Sequence, residues 1–153
     1  MLSTDIKRDY PDRPLIGVGA IIVADRRVVV VRRGHEPLKG EWSIPGGVLE
    51  VGETLRAGAA REALEETGLV VEPGEVLEVL DRIVRDPQGR VQFHYVLIDF
   101  LCRPRAGELH AGGDAEEARW ISESELREFP IADSAAAVLR KGLERAGELP
   151  AEK

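Results

Sequence analysis

The chain has 153 residues, of which 43% are hydrophobic and 32% are charged, and its formal net charge is −7 at pH 7. This length fits one domain with a single hydrophobic core. The acidic balance argues against broad binding of nucleic acids, which depends on clustered Lys and Arg, and no apolar run is long enough to predict a membrane span. A single cysteine, Cys102, excludes an intrachain disulfide. Together with an N-terminus that has no secretory apolar region, it predicts a cytoplasmic location.

The first third of the chain predicts an arm followed by a β-hairpin. Pro11 and Pro14 interrupt regular structure in residues 1–13, so these residues are predicted to form a loose or pairing-dependent arm. Leu15–Ala24 is apolar and β-branched, residues 25–27 form a polar turn, and residues 28–32 continue as a second strand. Arg32 and Arg33 end that strand and Lys39 lies in the next loop. All three are candidates for contact with substrate phosphates, the alternative being ordinary solvated charges.

The middle of the chain predicts a helix over residues 54–67. Glu62, Glu65 and Glu66 are spaced i, i+3 and i+4, so their carboxylates fall on an arc of roughly 100°. Like charges at this spacing repel one another, which favours a divalent cation held by carboxylate oxygens over a solvated acidic face. The predicted core-facing side of the helix consists of Ala57, Ala60, Leu64 and Thr67.

The second half predicts a hairpin, a loop, a short strand and two helices. Extended segments at 70–71 and 75–85, broken by Pro73-Gly74, precede a turn at 86–89 and a strand over 91–102. Residues 103–115 are predicted to be a glycine-rich loop, followed by a strand at 116–121, a short helix from Ser122 and an amphipathic helix over 132–146. Residues 147–153 are predicted to fray, and the whole chain, 1–153, is predicted to be one domain.

One segment carries a specific motif. Fixed residues occur in order with five, seven, two and one intervening positions: Gly47, Glu53, Arg61-Glu62, Glu65-Glu66, and Gly68 with Leu69. This pattern resembles the Nudix box of the Nudix hydrolases, with the small Ala63 where the family usually has a larger aliphatic residue. The resemblance implies an α/β fold, an α/β/α sandwich with a mixed β-sheet, and hydrolysis of a nucleoside diphosphate linked to another group.

The resemblance also implies a site. Mg²⁺, with Mn²⁺ as the alternative, would be bound by the Gly46 carbonyl, Glu62, Glu65 and Glu66. The expected catalytic residues are Glu62, as base or as the group that orients the base, Glu65, and Arg61, which fixes a neighbouring carboxylate; some members of the family place the base outside the box. The second acidic group, which would support the metal or the attacking water, comprises Glu53, Asp114, Glu116 and Glu117.

The surroundings of the box indicate a substrate. The segments KGEWSIPGG, HYVLIDF and EEARWIS resemble those of short prokaryotic ADP-ribose pyrophosphatases, although the proline often found downstream in those enzymes is replaced here by Val84 and Arg85. ADP-ribose or a nucleotide sugar, cleaved to a nucleoside monophosphate and a sugar phosphate, is therefore the expected substrate. Three alternatives stay open: an (oxidised) nucleoside triphosphate, a dinucleoside polyphosphate, and a non-catalytic nucleotide sensor or scaffold. The expected partner is a small nucleotide, not a nucleic acid or a membrane, and a homodimer formed through the arm also stays open.

Overall fold

The computed structural model describes residues 7–36 and 38–148. The predictions made for residues 1–6 of the arm and 149–153 of the tail lie outside these residues. Within the described ranges, seven strands and three helices follow one another. In chain order they are β1 (Leu15–Ala24), β2 (Arg27–Arg33), β3 (Trp42–Ser43), β4 (Gly46–Val48), α1 (Leu55–Thr67), β5 (Leu69–Arg85), β6 (Val91–Gly107), β7 (Ala115–Ser122), α2 (Glu123–Leu126) and α3 (Asp133–Glu148).

The strands form a mixed sheet around β1. Its main path runs β3-β2-β1-β6-β5, while β4 pairs with β1 and β7 pairs with β2. β1 and β6 are parallel, from Leu15 opposite Tyr95 to Ile22 opposite Cys102. The remaining strand pairs are antiparallel, including the predicted β1–β2 hairpin. One parallel pair within an otherwise antiparallel sheet makes the sheet mixed, as predicted.

Helices cover both faces of the sheet. On one face, Ala20, Ile22 and Phe100 pack with Ala59 and Ala63 of α1. On the other face, a second core contains residues of β1, β6, α2 and α3, namely Ile21, Leu101, Leu126 and Leu139. Successive residues of β1 point to opposite faces, so a strand that is apolar throughout supplies both cores. The layers are therefore helix, sheet, helix, and the predicted α/β fold class is confirmed.

The boundaries of β5 and β6 differ from the prediction. The two segments expected at 70–71 and 75–85 form one strand, and Pro73-Gly74 is accommodated by a register shift between Pro73 and Val76. The loop predicted for 103–115 is also too long, because β6 continues to Gly107, which lies opposite Leu69. Pairing with β5 therefore overrides the turn-forming composition of residues 103–107.

The predicted core-facing side of α1 is wrong for two of its four residues. Ala57 is exposed and Leu64 is 50% exposed. The buried residues of the helix are Gly58, Ala59, Ala63, Glu66 and Thr67. Small residues let α1 lie close to β1 and to the loop after β4, and this orientation turns Glu66 toward the interior.

Tyr10, in the described part of the arm, contacts the β5–β6 hairpin. Its N–H donates to the Gln92 carbonyl over 2.7 Å, and its hydroxyl donates to Asp86 over 2.7 Å. Arg90 lies over the Tyr10 ring. The arm is thus attached to its own chain at this point. Within the described ranges, no helix is long and apolar enough to cross a membrane.

Candidate active site

Helix α1 is fixed at both ends by the residues that the sequence indicates. The Thr54 hydroxyl accepts from the Ala57 N–H over 3.1 Å, which caps the first turn. Gly68 has φ 74°, and its N–H donates to the Leu64 carbonyl, which closes the last turn. A β-carbon on Gly58 would lie 2.8 Å from Leu49 Cδ1, so α1 packs closely against the loop after β4 at this glycine.

Strand β4 brings the backbone of two glycines against the acidic side of α1. A β-carbon on Gly47 would lie 2.1 Å from Glu62 Oε2. The Gly46 N–H donates to Glu66 Oε1 over 2.9 Å. Any side chain at Gly47 would therefore displace the Glu62 carboxylate, and a backbone without side chains is what this close approach requires.

Arg61 connects the carboxylates of the cluster. Its guanidinium donates to both oxygens of Glu53, over 2.6 and 2.9 Å, and to Glu62 over 3.0 Å. Glu65 is 3.4 Å away, and the Val48 carbonyl accepts from Nη2 over 3.2 Å. This bidentate ion pair lowers the pKa of Glu53. Arg61 is the cation that holds like charges together on one helix.

Two carboxylates of the cluster are largely removed from water. Burial raises the pKa of Glu66 to about 8, opposed by the Gly46 N–H and reinforced by the charge of Glu62. Burial also raises the pKa of Glu62, and Arg61 opposes this shift. Glu65 differs, since half of its side chain is exposed. Glu62 and Glu66 are thus placed where a divalent cation would offset the electrostatic penalty of ionising both.

The donor set can be tested against the needs of a hard cation. Within residues 7–36 and 38–148, no three Asp, Glu, His or Cys side chains are grouped to hold a metal ion by themselves. Mg²⁺ is usually bound by one or two carboxylates, with waters and substrate phosphates completing its shell. Glu62, Glu66 and the adjacent Gly46 backbone fit that requirement.

A cleft of about 450 Å³ opens beside these carboxylates, and Glu62, Glu66 and Asp114 line it together. Of the three predicted phosphate contacts, Arg33 also lines the cleft. Arg32 instead lies 3.8 Å from Glu117. Lys39 is exposed and is not among the described residues that line the cleft.

The second acidic group is divided by the fold. Asp114 lines the cleft and pairs with His35 over 3.0 Å. Glu117 pairs with Arg119 over 2.6 Å, and Glu116 lies 4.0 Å from Arg32. Glu53 binds Arg61, which makes it a partner of the cluster's cation. Only Asp114 of the three loop and strand carboxylates is brought to the cleft within the described chain.

The family can be decided once this geometry is known. A family model described as the NUDIX domain matches residues 13–142. The chain belongs to the NUDIX family. The segment that carries the acidic cluster is therefore a Nudix box, and Nudix hydrolases generally use divalent metal cations.

Three proteins illustrate the relationship. The Nudix chain is 37% identical over 113 residues to an ADP-ribose pyrophosphatase of Methanocaldococcus jannaschii, covering 74% of this chain but 64% of that protein. It is 33% identical over 129 residues to a MutT-like protein of Streptomyces ambofaciens, covering 84% of this chain and 76% of that protein. The crystal structure of an ADP-ribose pyrophosphatase from Streptococcus suis superposes with a TM-score of 0.70 at 25% identity, covering 92% and 97% of the two chains.

Sequence reasoning missed several charged residues of the Nudix cleft, two of which lie within strands. Arg82 of β5 and Asp99 of β6 both line it. Burial, with a smaller effect of nearby Arg33, lowers the pKa of Arg82, and Asp99 is 5% exposed. Asp99 lies within a strand whose apolar neighbours dominate the pattern, whereas Arg82 follows Asp81 and lies between exposed residues of β5. The sequence signal for Asp99 was a charged residue inside the apolar run VLIDFL, which indicates a buried carboxyl group.

Proposed function

We propose that this Nudix protein is a cation-dependent hydrolase that cleaves the diphosphate of ADP-ribose or a related nucleotide sugar. The products would be a nucleoside monophosphate and a sugar phosphate. The observation that carries the proposal is the intact acidic cluster at a cleft of about 450 Å³, in which Arg61 binds Glu62 and Glu65 and the Gly46 N–H binds Glu66. A sensor or scaffold has no need to retain this arrangement.

The cluster's residues have distinct roles in this proposal. Glu62, Glu66 and the Gly46 carbonyl would bind Mg²⁺ or Mn²⁺, with Glu65 at the exposed edge of the site. A cation held by these residues would supply neutralisation of phosphate charge and activation of the attacking water. The 3.0 Å hydrogen bond from Arg61 fixes the orientation of the Glu62 carboxylate. Glu53 in turn fixes the position of the Arg61 guanidinium.

The reaction adds water to one phosphorus of the diphosphate and breaks the bridging P–O bond. Glu62, whose pKa is raised by burial, is the proposed base or the group that orients it. Asp114 is a second carboxylate at the same cleft. Arg33 and Arg82 are the cationic side chains of the lining that would meet substrate phosphates.

The substrate is proposed from the relatives. Proteins of Methanocaldococcus jannaschii and Streptococcus suis that resemble this chain are named ADP-ribose pyrophosphatases. A nucleoside triphosphate, normal or oxidised, stays the second candidate from the sequence. The homodimer and the cytoplasmic location stay predictions from the sequence.

Product chromatography on a substrate panel tests the proposal. The panel comprises ADP-ribose, other nucleotide sugars, normal and 8-oxo nucleoside triphosphates, and dinucleoside polyphosphates, each with Mg²⁺, Mn²⁺ or chelator. We expect ADP-ribose to give AMP and ribose 5-phosphate, and chelator to abolish this. Pyrophosphate release from a triphosphate alone would replace the substrate, and no turnover of any compound would favour a sensor.

A further inference from the structure

Two glycines in the central strand make room for side chains of the neighbouring strand at the cleft. Gly17 and Gly19 of β1 both line it, opposite Leu97 and Asp99 of the parallel strand β6. A β-carbon on Gly19 would lie 2.2 Å from Asp99 Oδ1, and one on Gly17 would lie 2.7 Å from Leu97 Cδ2. Glycine inside a strand often marks a close approach. Here the two glycines leave room for the Leu97 and Asp99 side chains, so the Asp99 carboxylate lies over Gly19 at the cleft.

Asp99 is a buried carboxyl group without a partner in the described chain. It is 5% exposed, and no donor of residues 7–36 or 38–148 hydrogen bonds to it or forms an ion pair with it. Burial raises the pKa of Asp99 to about 6, and the like charge of Glu78 adds to this. Burying a carboxyl group without a hydrogen bond is unfavourable, so a donor from a ligand would satisfy it.

The rest of the cleft suits a planar ring linked to phosphates. Ile44, Leu80 and Leu97 give this part of the cleft apolar walls. The same cleft is lined by Glu62 and Glu66, where the diphosphate is proposed to bind. A nucleotide with its phosphates at the carboxylate cluster can extend its base between these apolar walls toward Asp99, and pockets of this kind use a few polar groups to fix orientation.

We propose that Asp99 is a specificity residue that accepts a hydrogen bond from the exocyclic amine of adenine, with the ring lying among Ile44, Leu80 and Leu97. This inference rests on the proposed function, because it takes the substrate to be an adenine nucleotide. The amine is the donor on the adenine ring that is independent of the sugar and phosphates.

Equilibrium binding of two product-like nucleotides tests the inference. Calorimetry with Mg²⁺ present compares AMP with purine riboside 5′-monophosphate, which lacks only the amine; neither contains a diphosphate to be cleaved. Loss of a hydrogen bond to a charged group costs roughly 10- to 100-fold in affinity, so the wild type should prefer AMP by about that factor. Asp99→Leu should bind both nucleotides equally, and Asp99→Asn, which keeps one acceptor oxygen, should retain part of the preference.

A matched control separates recognition from folding. Asp81, an exposed carboxylate on the neighbouring strand β5, is changed in Asp81→Asn, which should keep the full preference for AMP. The melting temperature of Asp99→Leu at pH 8 should be at or above that of the wild type, because an unpaired buried carboxylate is removed. If the melting temperature instead falls strongly in both Asp99→Leu and Asp99→Asn, Asp99 has a structural role and the inference is overturned.

The outcomes also distinguish this inference from the proposed function. Equal affinity of the wild type for the two nucleotides, or no measurable affinity for either, overturns the role of Asp99 even if ADP-ribose is hydrolysed. A preference for AMP that disappears in Asp99→Leu supports that role even if ADP-ribose is not cleaved, in which case only the proposed reaction fails.

Discussion

Arg61, together with the Gly46 N–H that binds Glu66, explains how three glutamates can share one side of a helix. Residues spaced i, i+3 and i+4 with the same charge destabilise a helix, yet Glu62 and Glu65 both lie within 3.4 Å of the Arg61 guanidinium. Glu53, from the loop before the helix, binds two further guanidinium nitrogens. The arginine therefore links loop and helix as well as neutralising charge.

Arg61→Lys should reduce kcat/KM for the preferred substrate by roughly 10- to 100-fold, because a lysine ammonium cannot reproduce the bidentate contact with Glu53 while also reaching Glu62. Steady-state kinetics check this, with Arg56→Lys as the control. Arg56 lies on the same helix and contacts only the carbonyls of Pro73 and Gly74 among its described hydrogen bonds. Equal kinetics in the two variants would contradict the role given to Arg61.

Asp99 should make stability depend on pH. Its pKa is about 6 in the folded chain, against 3.8 for the ordinary group, so the folded state binds a proton more tightly than the unfolded state. The stabilisation is present below about pH 3.8 and is lost as pH rises through 6. The free energy of unfolding of Asp99→Leu, minus that of the wild type, should therefore increase by up to about 3 kcal/mol between pH 4 and 7.5.

Urea unfolding of the wild type, Asp99→Leu and Asp81→Asn at pH 4.5, 6 and 8 measures this difference. The Asp81 variant should show none of the rise. If the free energy of unfolding of Asp99→Leu differs from that of the wild type by the same amount at all three pH values, the predicted pH dependence is contradicted.

At the scale of elements, β4 and α1 must approach closely for the site to form. The Gly46 N–H reaches Glu66 over 2.9 Å, and the space that a Gly47 β-carbon would fill is occupied by the Glu62 carboxylate. The turn that leads from β4 into the helix is closed by Glu53, which accepts from the Glu50 N–H over 3.1 Å. The backbone of β4 is thus part of the site.

Gly47→Ala should lower turnover by at least about 10-fold while the chain stays folded, because the new methyl group forces Glu62 away from its position. Gly147→Ala is the matched control. Gly147 lies in α3 with open space around its would-be β-carbon, so that change should leave turnover intact. Steady-state kinetics and melting temperature together check both variants, and unchanged turnover in Gly47→Ala would contradict the packing argument.

Local patterns predicted the elements better than the orientation of side chains. The apolar run of β1 gave correct boundaries, and the helix predicted over residues 54–67 is observed at Leu55–Thr67, because these signals are local. The core-facing side of α1 was assigned wrongly because Ala57 and Leu64 are apolar, whereas the real contact is made by Gly58 and Ala59 against β1. Packing of a helix on a sheet depends on residues distant in sequence, which periodicity alone does not contain.

At the scale of the molecule, the site is assembled from distant parts of the chain. Glu62 and Glu66 come from α1, Asp114 from the loop before β7, and Arg82 and Asp99 from the β5–β6 hairpin. The Nudix box predicted the carboxylates because its spacing is contiguous. The other lining residues are brought together by the parallel β1–β6 pair and by β2–β7 pairing. Because they are far apart in the sequence, no local motif connects them.

The turnover of ADP-ribose by Glu62→Gln and Glu66→Gln, at saturating Mg²⁺ and beside the wild type, tests the central claim most directly. Each change removes a charge from the cluster but keeps the side chain's shape, and Glu144→Gln, an exposed residue of α3, controls for loss of charge alone. We predict that kcat falls by at least about 100-fold in each site variant and is unchanged in the control. Turnover near the wild-type rate in folded Glu62→Gln and Glu66→Gln would contradict the assignment of this cluster as the catalytic centre.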